Sequence, residues 1–130
     1  MKKLLAATLV LAAAACMPAE PLALTADQED RFAAATRGRT AGPPVDCVNT
    51  RNLGGNQSIG EAVVLFRSTG GGTVYVNRPP AGCPDLRGRT LVIRTPTTRL
   101  CRGDIATVLD PVSRTSYGSC ALGEFTPYTR

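Results

Sequence analysis

The chain has 130 residues, a formal net charge of +5 and no histidine. Without histidine it lacks the usual general base, the usual partner of a catalytic serine and the commonest zinc ligand. This composition argues against a hydrolytic triad and against a zinc enzyme.

The first fifteen residues have the features of an export signal. Lys2 and Lys3 precede an apolar run from Leu4 to Ala15, which is shorter than the about 20 residues that a transmembrane helix needs. A positive start, a short apolar stretch and small residues at its end are typical of a secretory signal peptide. We therefore predict that residues 1–15 are a signal peptide, and export would expose the remaining thiols to an oxidising environment.

Cys16 directly follows Ala13, Ala14 and Ala15, and this segment resembles the lipobox of bacterial lipoproteins, although Ala13 stands where that family usually has leucine. The resemblance implies that Cys16 is the lipid-attachment residue and the membrane anchor. Because Met17 rather than aspartate follows the cysteine, it also implies sorting to the periplasmic side of the outer membrane. The alternative is ordinary signal cleavage, after Ala15 or Ala19, which would give a periplasmic or secreted protein.

Removal of residues 1–15 leaves thirteen arginines, no lysine and ten acidic residues, a net charge of +3. Six of the arginines lie between Arg78 and Arg102, where Asp85 is the only acidic residue. Such a segment forms either a solvated basic face or a patch for anionic lipids, cell-wall carboxylates or a periplasmic protein. We do not expect nucleic acid as a partner, because the chain is exported, has few aromatic residues and carries no recognisable binding motif.

Residues 16–44 have the composition of a tether that contains one short helix. Prolines near its start favour an extended spacer. Thr25 can cap a helix, Gln28 can complete a capping box and Gly38 can end it, which predicts a helix from about Ala26 to Arg37. Since the apolar face of this helix is mostly alanine, we expect it to pack weakly on the domain or to remain mobile.

From residue 45 onward, short runs of branched residues are bounded by Gly, Pro, Asn or Asp, a pattern typical of strands and turns. Three glycines at 70–72 can close a hairpin. We therefore predict an all-β domain over residues 45–130, built as a small antiparallel barrel or a curled sheet of five to six strands. The clearest predicted strands are Glu61–Arg67, Thr73–Arg78, Thr90–Thr95, Asp104–Leu109 and Cys120–Thr126.

The β domain contains four cysteines, and small secreted domains commonly use disulfides to compensate for a small core. Four cysteines allow three connectivities. We predict a disulfide between Cys83 and Cys101, which would close one loop of the sheet. A second, between Cys47 and Cys120, would join its first and last strands. A four-cysteine zinc site is disfavoured because there is no C-x-x-C motif and the spacings are long.

A set of short motifs covers residues 39–128 and resembles an uncharacterised family of small exported bacterial proteins, often lipoproteins, classed only as a domain of unknown function. The segment 54–60 departs from the more acidic segment of that family. The resemblance implies a compact β domain of the cell envelope and assigns no activity. The motifs are residues 39–42, Pro44-Val45, Cys47 with Arg51, Val64-Leu65-Phe66, Tyr75 with Asn77, Cys83-Pro84 with Leu86, residues 99–101 with Asp104-Ile105, and residues 120–125.

No catalytic motif emerges from the sequence. Ser119 lies in Gly-Ser-Cys rather than in a nucleophile elbow, and no histidine exists to activate it. Asp104 precedes a predicted strand and is expected to serve a turn. The candidate carboxylates for glycoside cleavage, which nothing in their spacing brings together, are Glu61, Asp85, Asp104, Asp110 and Glu124.

The sequence therefore predicts a lipid-anchored, non-enzymatic binding or structural module of the bacterial envelope, with no catalytic, metal-binding or cofactor-binding residues. Its expected partners are the membrane, reached through Cys16, and a periplasmic protein or cell-wall component. The alternative is a carboxylate-dependent hydrolase, or an inhibitor, that acts on cell-wall components.

Overall fold

The computed structural model describes residues 22–130. The predicted signal peptide, Cys16 and the first part of the tether lie outside these residues. One α-helix, α1 (Ala26–Ala35), precedes ten β-strands. The strands are β1 (Thr40–Ala41), β2 (Cys47–Asn49), β3 (Leu53–Ile59), β4 (Val63–Ser68), β5 (Thr73–Asn77), β6 (Thr90–Ile93), β7 (Arg99–Cys101), β8 (Ile105–Leu109), β9 (Ser116–Ala121) and β10 (Phe125–Thr129). No helix within residues 22–130 has the length and apolar character that crossing a bilayer requires.

The strands pair into three antiparallel sheets. A five-stranded sheet has the order β1-β10-β5-β4-β3, a ribbon pairs β2 with β7, and a three-stranded sheet has the order β6-β8-β9. The predicted all-β class with a short N-terminal helix is confirmed. Within the described range none of the sheets closes into a barrel, and the ten strands exceed the five to six predicted.

Four of the five predicted strands agree with the structure. The four predicted strands from residue 61 to residue 109 match β4, β5, β6 and β8 to within about two residues. The fifth, Cys120–Thr126, is wrong, because this range spans the end of β9, a short connection and the start of β10. Apolar residues in that connection, such as Leu122, are buried without being part of a strand.

The core depends on β4, which is buried on both of its faces. Val63, Val64, Leu65 and Phe66 are each at most 2% exposed. Because side chains alternate along a strand, Val64 and Phe66 enter a cluster formed with the ribbon and the three-stranded sheet. Val63 and Leu65 enter a second cluster, which is covered by residues of α1. The five-stranded sheet is therefore the middle layer of the domain.

Helix α1 packs on the second cluster. The predicted capping box is present: the backbone N–H of Gln28 donates to Thr25 Oγ1 at 3.3 Å, and that of Thr25 donates to Gln28 Oε1 at 3.1 Å. The helix ends at Ala35, two residues earlier than predicted. Phe32 is partly buried and meets the Tyr128 ring edge-on, with 6.0 Å between centroids. A few partly buried side chains, rather than fully buried ones, thus hold the helix on the sheet.

Residues 22–130 contain two disulfides, with a connectivity that differs from the prediction. Cys47 pairs with Cys101 and Cys83 with Cys120, so the predicted pairs Cys83–Cys101 and Cys47–Cys120 are wrong. Cys47 and Cys101 lie directly opposite each other in the β2–β7 ribbon, with 4.0 Å between their Cα atoms. The prediction failed because neither of these three-residue strands was recognised.

The disulfides supply stability that so small a core lacks. They join residues separated by 54 and 37 positions, and loops of that length correspond to about 4 kcal/mol each in the chain-entropy model. Such bonds persist in oxidising environments, which indicates that the folded domain belongs outside the cytosol.

Asn77 is a fully buried polar side chain, and it fastens the connection between β9 and β10. Its Nδ2 donates to the carbonyl oxygen of Gly123 at 2.8 Å, and the Gly123 N–H donates to Asn77 Oδ1 at 2.9 Å. A Cβ on Gly123 would collide with the carbonyl oxygen of Arg78. Both residues are therefore required by the close approach of β5 to this connection.

We expect Asn77→Leu to lower the free energy of unfolding by about 2–5 kcal/mol, because it leaves the buried N–H and C=O of Gly123 without partners. Urea denaturation of the disulfide-bonded domain measures this loss. The matched control is Asn52→Leu at an exposed position, which should change stability by less than about 0.5 kcal/mol. Equal effects of the two substitutions would show that the Asn77–Gly123 contact contributes nothing specific.

Mass spectrometry of the non-reduced domain after cleavage at arginine should recover the pairs Cys47–Cys101 and Cys83–Cys120. The digest is informative because at least one arginine lies between each cysteine and the next, so each cysteine enters a different peptide. Recovery of the peptide of Cys83 joined to that of Cys101 would contradict the connectivity described here.

Candidate anion-binding site

A cavity of about 550 Å³ lies beside the second half of α1. Five of its eight lining residues are arginines, and none of those within residues 22–130 is acidic. We call it the arginine pocket. Its lining residues are Arg31, Arg37, Arg39, Arg67 and Arg130, with Ala34, Ala35 and Gln57.

Helix α1 supplies one wall. Arg31, Ala34 and Ala35 are spaced three and four positions apart, which places them on one face of a helix. Arg31 Nη2 donates to the carbonyl oxygen of Ser58 at 3.3 Å, which holds this arginine toward β3. The two alanines are short and uncharged, so this wall leaves the cavity open between the guanidinium groups.

The pairing of β1 with β10 brings two further arginines together. Thr40 lies opposite Thr129 in this antiparallel pair, so Arg39 and Arg130, each one residue further along, come next to each other. Arg39 Nη2 donates to the carbonyl oxygen of Gly71 at 2.9 Å. The predicted glycine hairpin, which connects β4 with β5, therefore holds Arg39 in place.

Strand β4 contributes Arg67 to the pocket. Alternation puts Arg67 on the same side of the sheet as Val63 and Leu65, but Arg67 is exposed. Its Nη2 donates to Gln57 Oε1 at 2.9 Å. Gly55 lies directly opposite on β3, and a Cβ at that position would meet no atom within 4 Å. The space beside Arg67 is therefore unfilled.

The pocket carries uncompensated positive charge. Across residues 22–130, every ion pair involves Arg102, which lies outside the pocket. Two nitrogens of the Arg39 guanidinium, Nε and Nη1, are buried and have no hydrogen-bond partner in the described structure. Burying charged donors without partners is unfavourable, and charges of one sign around a cavity add to a positive potential. The arrangement therefore favours an anion.

The arginines between residues 78 and 102 have varied surroundings. Arg78 lies over the Phe32 ring at 5.2 Å and Arg89 over the Tyr117 ring at 3.6 Å. Arg102 pairs with Asp46 at 3.5 Å and with Glu124 at 3.2 Å. Three of the six basic residues in this segment are thus engaged with aromatic rings or carboxylates.

The candidate carboxylates serve local structure. Glu61 Oε1 accepts from the backbone N–H of Asp85 at 3.0 Å, and Asp104 Oδ2 accepts from that of Cys101 at 2.8 Å, which agrees with the predicted turn role of Asp104. Glu124 is paired with Arg102. Glu61 and Asp85 are therefore neighbours, but their contact uses the backbone of Asp85 and not its carboxylate.

Asp110 closes the turn between β8 and β9. Backbone N–H groups of Ser113 and Val112 donate to its Oδ1 and lower the pKa of the carboxyl below its ordinary value, with a smaller contribution from the charge of Arg89. A carboxylate stabilised in its charged form in this way is suited to holding a turn rather than to donating a proton.

Ser119 is exposed on β9. No group of three or more His, Cys, Asp or Glu side chains between residues 22 and 130 is placed to hold a metal ion. The cysteines that sequence reasoning singled out in this range are all in disulfides, so none of them is a free thiol.

Sequence reasoning missed the arginine pocket because its residues are dispersed along the chain. The basic segment at 78–102 contributes none of them. The absence of lysine after residue 3 was the only available signal, and it does not show which arginines meet. Comparison with protein-family models, with curated proteins and with solved structures gives no match, so the pocket is interpreted from its own geometry.

Proposed function

We propose that this protein is an exported, non-enzymatic binding module of the bacterial envelope, and that it binds an anionic ligand in the arginine pocket. The observation that carries the proposal is the convergence of five arginines on one cavity whose described lining contains no acidic residue. In this proposal Cys16 carries a lipid anchor, and the domain lies on the periplasmic side of the outer membrane.

The hydrogen bonds that hold two of the pocket arginines in place support a binding role. Arg39 and Arg67 are held by hydrogen bonds to a backbone carbonyl and to an amide side chain, so their donors are ordered before a ligand arrives. Such preorganisation reduces the entropy that binding costs. Like charges around one cavity repel each other in the free protein, and stability therefore does not explain why these arginines lie together.

Membership of the exported four-cysteine family, and the cell-wall hydrolase or inhibitor as the alternative function, stay predictions. A hydrolase of that kind needs an acid and a base on either side of the bond to be cleaved. The carboxylate contacts that the structure shows are made with backbone N–H groups and with Arg102, which favours the binding module.

Titration of the N-terminally tagged domain with multivalent anions, pyrophosphate and citrate, should show one-to-one binding that weakens with added salt. We expect Arg67→Gln to weaken it about tenfold, because charged hydrogen bonds are lost. NMR of the arginine Nε–H groups measures the affinity.

Arg94→Gln is the matched control, because it removes the same charge at an exposed position that does not line the arginine pocket. Arg94 lies on a surface with Val92 and Ile105. This control should bind within about twofold of the wild type. If neither anion binds, or if the two variants lose affinity equally, the arginine pocket is not the binding site. The free energy of unfolding of the Arg67→Gln variant should differ from that of the wild type by less than about 0.5 kcal/mol, as for other substitutions at exposed positions.

Cys16→Ser should release the protein from the membrane fraction into the soluble periplasmic fraction, because the acyl chains that hold it would be absent. Fractionation of cells followed by immunoblotting measures this change. Membrane association as strong as that of the wild type would contradict lipid anchoring at Cys16.

A further inference from the structure

We infer that the ligand of the arginine pocket carries a phosphoryl group, as a phosphate monoester or a diphosphate. The inference rests on the proposed function and names the chemistry of its ligand. It follows from three properties of the pocket. Its arginines belong to different structural elements around the cavity, the cavity is larger than a single ion, and no aromatic residue is part of its described lining.

The guanidinium groups arrive from different structural elements. Arg31 belongs to α1, Arg67 to β4, and Arg39 and Arg130 extend the β1–β10 pair. A phosphoryl group presents three strong acceptor oxygens and carries close to two negative charges near neutral pH. Donors on several sides of one cavity can therefore share it. A carboxylate offers only two oxygens in one plane, which suits one guanidinium fork.

The surroundings of Arg39 also favour a ligand with two negative charges. Of its guanidinium nitrogens, only Nη2 has a hydrogen-bond acceptor in the described structure, and Nε and Nη1 are buried without one. The charge of this residue is therefore poorly solvated and not neutralised by the protein. A dianion in the cavity beside it would compensate more of that charge than a single carboxylate would.

The cavity is larger than one inorganic ion requires. Its volume of about 550 Å³ falls within the range of small-molecule sites, about 300–1,000 Å³. There is room for a phosphoryl group together with part of the molecule that carries it. Ala34, Ala35 and Gln57 complete the described lining, and a sugar or glycerol moiety could contact this small and partly polar surface.

The lining also argues against a nucleotide or a single-stranded nucleic acid. Bases are commonly held by stacking on aromatic side chains, and no aromatic residue of the described chain lines the pocket. Two sources of phosphoryl groups fit equally: a lipid headgroup at the membrane surface and a soluble phosphorylated compound.

The test compares pyrophosphate with citrate, which carry similar total charge at neutral pH but differ in the geometry of their oxygens. Isothermal titration of the disulfide-bonded, N-terminally tagged domain should give pyrophosphate at least about tenfold tighter binding than citrate. Arg130→Gln lies outside the strands and the apolar clusters. This substitution should reduce the preference for pyrophosphate over citrate without affecting the fold. The control Arg94→Gln should keep the preference of the wild type.

A second arm distinguishes the sources with vesicles of phosphatidylcholine that do or do not contain phosphatidic acid. Sedimentation of the domain with phosphatidic acid vesicles, reversed by pyrophosphate, would identify a lipid headgroup. Pyrophosphate binding without sedimentation would identify a soluble ligand. Citrate binding as tight as that of pyrophosphate would overturn the phosphoryl assignment while the proposed anion site stands, and no binding of either anion would overturn both.

Discussion

The double-sided burial of β4 is the constraint on which the rest of the domain depends. A strand with both faces buried must be covered twice, once by the other two sheets and once by α1. The first cover requires the disulfide-linked ribbon and the three-stranded sheet to lie on one side. The second requires the chain before β1 to fold back across the other side. The arginine pocket forms where that helical cover ends, so its position follows from how the core is closed.

The apolar parts of the fold could be predicted from the sequence. Val63–Phe66 and the alternation of Val74 and Val76 mark β4 and β5, because burial of branched residues at a spacing of one or two positions is the signature of strands. The capping box at Thr25 and Gln28 is equally local. Each of these features is decided by residues that are close in the sequence, which is why sequence reasoning recognised them.

Other parts are decided by partners far along the chain. Strand β3 contains Leu53-Gly-Gly-Asn-Gln-Ser-Ile59, a composition typical of a loop, and it is a strand because β4 pairs with it over most of its length. The ribbon that sets the Cys47–Cys101 disulfide has only three residues in each strand. The arginine pocket joins a helix, two different strand pairs and residue 130, so no window of sequence contains its pattern.

The placement of charge separates two kinds of arginine in this protein. Arg89 and Arg102 have ring or carboxylate partners and contribute to the packing of loops and turns. The residues of the arginine pocket have mostly neutral partners, as in the contacts of Arg39 with Gly71 and of Arg67 with Gln57. A site that gathers like charges without neutralising them is disfavoured in the free protein. A bound anion would therefore stabilise the folded state by mass action.

The β1–β10 pair sets Arg130 beside Arg39 at the rim of the cavity. An affinity tag or a fusion partner attached after Arg130 would begin at that rim, where it would compete for the space of a ligand and change the local charge. A polyacidic tag would be the worst choice, since its carboxylates would compete with an anionic ligand for the arginines.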